Sequence, residues 1–389
     1  MTNRRTVVKG LAGLAVATAL ENTATGANAI APPPAEAGLA AGTASSAEWV
    51  TLPGKAPLIK RTFRPPNLET PLGYFRDPIT PNKAFFVRYH HANIPAVDPA
   101  TWTLRVGGPA ASQKVTFTLA QLRSQFEMVD ITALCLCSGN RRGLFAPHVG
   151  GVQWGSGAMG NARWRGVRLG DVLRKAGVRP DALEVAFDGS DSPVMPGGPD
   201  YQKSLPVAKA LDSNTLIALE MNGEQLPPLH GAPARLVVPG WTATYWIKHL
   251  ASIELLNAPF DNFWVKTGYR IPTGAFPGLA TFASQETTAN TPITEIAINS
   301  LITTPAPAAP LAPGAAIDVR GMAWDGGHGL KRVEWSLNRG TTWNAAQLGT
   351  DHGPFSLRPW SFNAPAPKQS GRLSVWVRAT SRNGGTQPL

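Results

Sequence analysis

The chain has 389 residues, 43% of them apolar, which is enough for two or three domains around a sizeable core. Its 39 glycines and 36 prolines fall short of a low-complexity composition and indicate a globular protein rich in loops and strands. A net charge of +11 suits an anionic substrate or an acidic partner, and with only 16% charged residues and no dense Lys/Arg tract the chain does not read as a nucleic-acid binder.

The first 29 residues read as an export signal. Arg4, Arg5 and Lys9 precede a short apolar run, Gly10 to Leu20, and small residues follow at Ala27 to Ala29. That run is too short to span a bilayer, so no membrane span is expected. The paired arginines followed by "TVVK" resemble a twin-arginine signal, which carries folded, often cofactor-loaded proteins to the periplasm. Residues 30–50, rich in Ala, Pro, Gly and Ser, are expected to form a flexible lead-in.

From Thr51 to about residue 285 the texture is α+β. "KAFFVRYHHANIP" and "TWTLRVGGP" read as strand segments, and "TLAQLRSQF" and "RLGDVLRKAG" as short amphipathic helices, the second closed by Gly177. "RLVVPG" and "IKHLASIELL" are apolar, β-branched runs. Beyond the polar joint "SQETTANTPIT" the pattern is wholly β. Short strands alternate with Gly-rich turns over residues 286–389, which predicts a β-sandwich.

The cysteines carry the chemical signal. Cys135 and Cys137 are the whole supply, and they run into Ser138-Gly139-Asn140 and the pair Arg141-Arg142. On a strand they share one face and cannot easily close a disulfide. Inert buried thiols, a copper- or zinc-like CxC site and a single ligating thiolate all remain open. Nearby cations favour the thiolate, and no CxxC or HxxxH partner exists to complete a zinc site. A metal held mainly by a non-protein ligand fits best.

"CSGNRR" resembles the signature of the sulfite oxidase family of molybdenum enzymes. So do "FFVRYHHANIP", "GVQWGSGAMGNARWRGVRLGDVLRKAG" and "ALEMNGEQLPPLHGAPARLVVPGWTATYWIKHL", in the same order along most of the chain. The resemblance implies a sulfite-oxidase-type molybdopterin-binding domain over 51–285, followed by an immunoglobulin-like dimerisation domain over 286–389. It implies that Cys137 ligates molybdenum alongside a pyranopterin dithiolene. Arg88 and Arg142 then line an anion pocket, with Tyr269 donating a hydrogen bond near the substrate oxygen and Trp154 beside the pocket. Tyr89, His90, Asp191, His230, Arg235, Trp246, Ile247 and Lys248 fall on cofactor-binding positions. Cys135 is left to the core, Arg141 to fixing the loop, and His91 and His249 have no assigned role.

The activity so implied is periplasmic oxidation of sulfite to sulfate by a homodimer. A molybdenum-dependent reductase of sulfoxides or another oxyanion is the alternative, and a cofactor-free copper-binding protein a more remote one. No CxxCH haem motif occurs and no cytochrome b5-like region is seen upstream, so electrons are expected to pass to a separate c-type cytochrome. The chain stops at "NGGTQPL", where relatives often continue with another Trp/Asn-containing segment, which leaves open whether the last β-strand is complete. Replacing Arg4 and Arg5 by Lys is expected to hold folded precursor in the cytoplasm, read by cell fractionation; mature protein in the periplasm would exclude the twin-arginine route.

Overall fold

The computed structural model describes residues 48–275, 279–306, 309–368 and 371–388, one compact unit. The expected signal, 1–29, and the lead-in up to residue 47 lie outside the described residues. Pairing begins inside the stretch assigned to the lead-in, where Trp49–Val50 lies antiparallel to Leu58–Thr62. No helix among the described residues is long and apolar enough to cross a membrane.

Two five-stranded sheets build the larger part. In the first, the order is Lys203–Pro206, Glu184–Gly189, Leu250–Leu256, Thr103–Gly107, Val115–Thr118. Only Leu250–Leu256 and Thr103–Gly107 run parallel. In the second, Glu224–Gln225, Leu216–Met221, Met159–Arg168 and Met128–Leu136 follow one another, and Arg235–Val237 also pairs with Leu216–Met221. Val106, Val185, Phe187, Ile253 and Leu255 of the first sheet share one core with Ala133, Ala162, Trp164 and Val167 of the second.

Both expected helices form, for the reasons their sequences give. Leu119–Gln125 starts at a capping box: Thr118 Oγ1 accepts from the Gln121 N–H at 3.2 Å, and Gln121 Oε1 accepts from the Thr118 N–H at 2.8 Å. Leu169–Ala176 buries Leu169, Val172, Leu173 and Ala176 and stops at Gly177, whose φ of 75° suits a residue without a Cβ. They are short, however, and the α+β expectation overstates the helix. The chain is mostly β, because β-branched and aromatic runs end at Gly and Pro before a third helical turn can close. "KAFFVRYHHANIP" likewise yields only the two-residue strand Val87–Arg88.

Residues 299–381 form two further sheets. Asn299–Thr304, Ala316–Trp324, Arg358–Pro365 and Gln347–Leu348 make one; Asn344–Ala345, Leu330–Ser336 and Trp376–Ser381 make the other. Val319, Val333, Trp360, Phe362 and Ala379 fill the space between them. A separate cluster fastens this region to the larger one: Leu134 and Met159 pack with Met322, Trp324 and Leu357. The Leu134 N–H also donates to the Phe355 carbonyl at 2.9 Å.

Gly166 sets the spacing of the second sheet. A Cβ there would collide with the Ile217 carbonyl oxygen across the strand pair. Gly166→Ala is expected to cost roughly 3 kcal/mol by forcing a packed backbone apart, measured as a lower urea midpoint with an unchanged slope.

Candidate active site

Strand ends from both sheets, and from a smaller four-stranded sheet that ends in Val87–Arg88, converge on one cavity. Arg88 ends the strand Val87–Arg88, and Cys137 follows directly on Met128–Leu136. Asp191 lies two residues past Glu184–Gly189, Arg235 opens Arg235–Val237, and Lys248 precedes Leu250–Leu256. The cavity is lined by Arg88, Tyr89, His90, Cys137, Asp191, His230, Arg235, Trp246, Ile247, Lys248 and Tyr269 among the residues singled out from sequence.

Arg142 and Trp154 do not line it. The Arg142 guanidinium is tucked between two glycines: a Cβ at Gly139 or Gly151 would stand 2.8 or 2.7 Å from it. Its Nη1 donates to the Val152 carbonyl at 3.2 Å. It reaches Tyr269 only through its field, which works against the rise that burial imposes on the phenol's pKa. Trp154 is fully buried in the main core.

Cys135, left to the core from sequence, lines the cavity beside Cys137. Its sulfur accepts from Arg235 Nη2 at 3.8 Å, and burial pushes its pKa up to about 11. Cys137 Sγ accepts from the Gly139 N–H at 3.4 Å. Arg141 has φ 68° and turns its guanidinium away, to Asn299 Oδ1 at 2.6 Å and the Ser300 carbonyl at 2.9 Å.

At one end of the cavity Tyr269 is the hub. Its hydroxyl accepts from Arg88 Nη2 at 3.3 Å and meets His90 Nε2 in a short contact. Burial and the Arg88 charge hold His90 well below its usual pKa, so the ring is neutral and takes the phenol's hydrogen. Tyr201 stacks on His90, ring centroids 3.4 Å apart. At the other end His230 Nε2 meets Lys55 Nζ at 2.8 Å, and burial lowers the Lys55 pKa to about 7. Nothing in "DYQKS" or "PGKAP" flags Tyr201 or Lys55, since each is brought in by a fold partner remote in sequence. His249 has a part too: its Nε2 meets the Tyr89 hydroxyl at 3.0 Å and its Nδ1 the Ala232 carbonyl at 2.7 Å. His91 Nε2 accepts from the Tyr201 N–H at 3.2 Å.

Comparison with known proteins decides the family. Residues 91–264 match the oxidoreductase molybdopterin binding domain, and 290–389 the Mo-co oxidoreductase dimerisation domain. Sulfite oxidase of Gallus gallus is 35% identical over 323 residues, covering 80% of this chain and 68% of that protein. The chain belongs to the sulfite oxidase family of molybdenum enzymes. The mitochondrial sulfite oxidase of Drosophila melanogaster is 32% identical over 87% of this chain, which spans only 61% of that relative's length. The sulfane dehydrogenase SoxCD of Paracoccus pantotrophus has the same fold, with a TM-score of 0.71 at 24% identity over 94% of this chain and 86% of that one.

The cavity of this family member fits the family's cofactor. Arg235 is buried and Arg88 and Lys248 are partly buried, and all three face a space whose lining holds one carboxylate, Asp191, among the described residues. Burial drives the Lys248 pKa far down, as expected of an ammonium short of counter-charge. Arg235 Nε, of a cavity-lining residue, is buried with no hydrogen-bond partner among the described residues. An anion rich in acceptors would satisfy this donor, and the Cys137 sulfur is a soft donor suited to molybdenum.

His249 gives a pH test of the burial. Its folded pKa, lowered to about 4 by burial, lies below the unfolded value near 6.5. The unfolded chain therefore gains the proton first. The contribution is intact above pH 6.5 and is lost as pH falls towards 4, on the order of 3 kcal/mol. His249→Asn, which tolerates the φ of 51°, is expected to flatten that loss in urea titrations at the two pH values.

Proposed function

We propose that this chain is a molybdenum-dependent enzyme that oxidises sulfite to sulfate in the periplasm and passes electrons to a separate c-type cytochrome. The observation that carries the reading is one cavity shared by the Cys137 sulfur and the Arg88–Tyr269–His90 cluster. The family membership supports the metal and the substrate class, and the match over 290–389 supports pairing of two copies through an immunoglobulin-like sandwich. The basic balance of the chain and its expected signal support export of an enzyme for an anion.

Cys137 would be the protein's ligand to molybdenum, and Lys248, Arg235 and His230 would face the pterin and its phosphate. When bound, the cofactor supplies the oxygen transfer and the two-electron redox change. The residues of the chain supply placement. Arg88 presents a guanidinium to an oxyanion in a site partly shielded from water, where a fixed cation counts for more than at the surface. Tyr269 is held between Arg88 and neutral His90, so its hydroxyl can redirect its hydrogen towards a substrate oxygen.

The test is steady-state kinetics on molybdenum-replete protein with sulfite and cytochrome c, and separately with a reduced dye and a sulfoxide. Wild type is expected to reduce cytochrome with sulfite. Cys137→Ser is expected to lose at least about a hundredfold in turnover, since changing even an outer partner of a metal ligand costs about 10–100-fold. Arg88→Gln is expected to raise the sulfite KM roughly 10–150-fold through loss of a charged hydrogen bond. A wild type that ignores sulfite and reduces the sulfoxide would replace this reading with the reductase.

A further inference from the structure

Lys203 is a buried ammonium that neither the sequence reading nor the cavity lining accounts for. It opens the edge strand Lys203–Pro206 and has no exposed surface. Among the described residues no carboxylate pairs with it. Nζ donates to the Trp264 carbonyl at 2.5 Å and stands 4.6 Å from the centroid of the Tyr245 ring and 5.5 Å from that of Tyr269. The other charges around it do not compensate it. Arg270 opposes it with like charge. Glu184, whose field reaches Tyr245, is occupied by Ser284 and by Gln285 Nε2 at 3.0 Å. Its own field reaches His90 and helps keep that ring neutral. Burial lowers its pKa to about 7.

An unpaired buried cation opposes folding, and an apolar side chain of the same length would fill the same space at less cost. What the ammonium touches is the back of the anion pocket. Trp264, whose carbonyl it holds, packs its ring against His90 at 5.0 Å and Tyr269 at 6.0 Å between centroids. Tyr269 sits at φ 59°, a conformation that needs outside support. Cations over an aromatic face are attracted by it, so Lys203 braces the Tyr245 and Tyr269 rings while it holds the Trp264 carbonyl.

We propose that Lys203 is a positioning residue of the anion pocket: from behind the Tyr269 ring it anchors the Trp264–Tyr269 turn and adds a fixed positive charge that tightens oxyanion binding. This rests on the reading that the pocket takes an oxyanion.

The experiment measures binding of sulfate to the cofactor-loaded protein by calorimetry at pH 6, where Lys203 is charged and no turnover occurs, together with melting temperatures. Lys203→Met is expected to weaken sulfate binding about tenfold through loss of one charge in a poorly screened site, with a melting temperature equal to or above wild type. Lys203→Arg, which restores the charge, is expected to recover binding to within about threefold of wild type. A Lys203→Met protein that binds sulfate as wild type does overturns the proposal. So does one whose weaker binding comes with a lower melting temperature and is not recovered by Lys203→Arg, which marks a purely structural lysine. A wild type that binds no sulfate overturns the anion-pocket reading itself and this proposal with it, an outcome distinct from a change confined to the variants.

Discussion

Positive charge buried without matching negative charge is the constraint on which this structure turns. Arg88, Lys203, Arg235 and Lys248 all lie in or against one cavity. A carboxylate for each would neutralise the site and leave nothing for a ligand. The chain uses weaker partners instead. Lys248 Nζ donates to the Arg88 carbonyl at 2.8 Å and lies over the Tyr89 ring. Arg235 donates to the His230 carbonyl at 3.1 Å and lies between the Trp164 and Trp246 rings. Carbonyls and π faces hold a cation in place and leave its net charge uncancelled, so the remaining field is available to an anion.

Keeping such a cluster together needs a scaffold that does not yield, and the local backbone shows where the strain collects. Arg141, His249 and Tyr269 all adopt left-handed conformations unfavourable for side chains of their size. Each is over-determined by its surroundings. Tyr269 is flanked by Arg270, whose guanidinium donates to the Val265 carbonyl at 2.7 Å and to the Gln285 and Asn290 carbonyls at 2.5 and 3.0 Å. The Ile293 N–H closes the other side on the Tyr269 carbonyl at 2.8 Å. One turn is thus tied to one earlier residue, Val265, and to two later stretches, at Gln285 and at Asn290–Ile293, which fixes the phenol against Arg88 and His90.

How legible this was follows from the range of each interaction. Thr118 with Gln121, and Gly177 after an amphipathic run, are local signals, and both helices form where they point. The candidate site residues were legible through a family pattern rather than through spacing, and eleven of them line the cavity. Arg142 shows the limit of that route. Its place in the motif carried it to the pocket, but the absence of Cβ atoms at Gly139 and Gly151 lets its guanidinium settle elsewhere. Lys55, Tyr201 and Lys203 were illegible because their partners, His230, His90 and Trp264, are distant in the chain. No periodicity encodes a contact of that kind.

The cysteine loop shows why the two regions of the chain cannot be read independently. Cys137 stands at the end of a strand whose residue Leu134 is bonded to Phe355 and packed on Trp324 and Leu357. Two residues beyond the Ser138-Gly139 turn, Arg141 bonds Asn299 and Ser300 and stacks on Trp324 at 5.8 Å. Both flanks of the candidate metal ligand are therefore braced by residues from the region that matches a dimerisation domain. Arg141 is partly buried there, and burial lowers its pKa, so its two acceptors are the condition for its place. The adjacent arginines thus divide the work. Arg142 packs its guanidinium against Gly139 and Gly151, and Arg141 fixes the loop that carries the sulfur. A change in how the C-terminal sheets pack would therefore bear on Cys137 from both sides, through Leu134 and through Arg141.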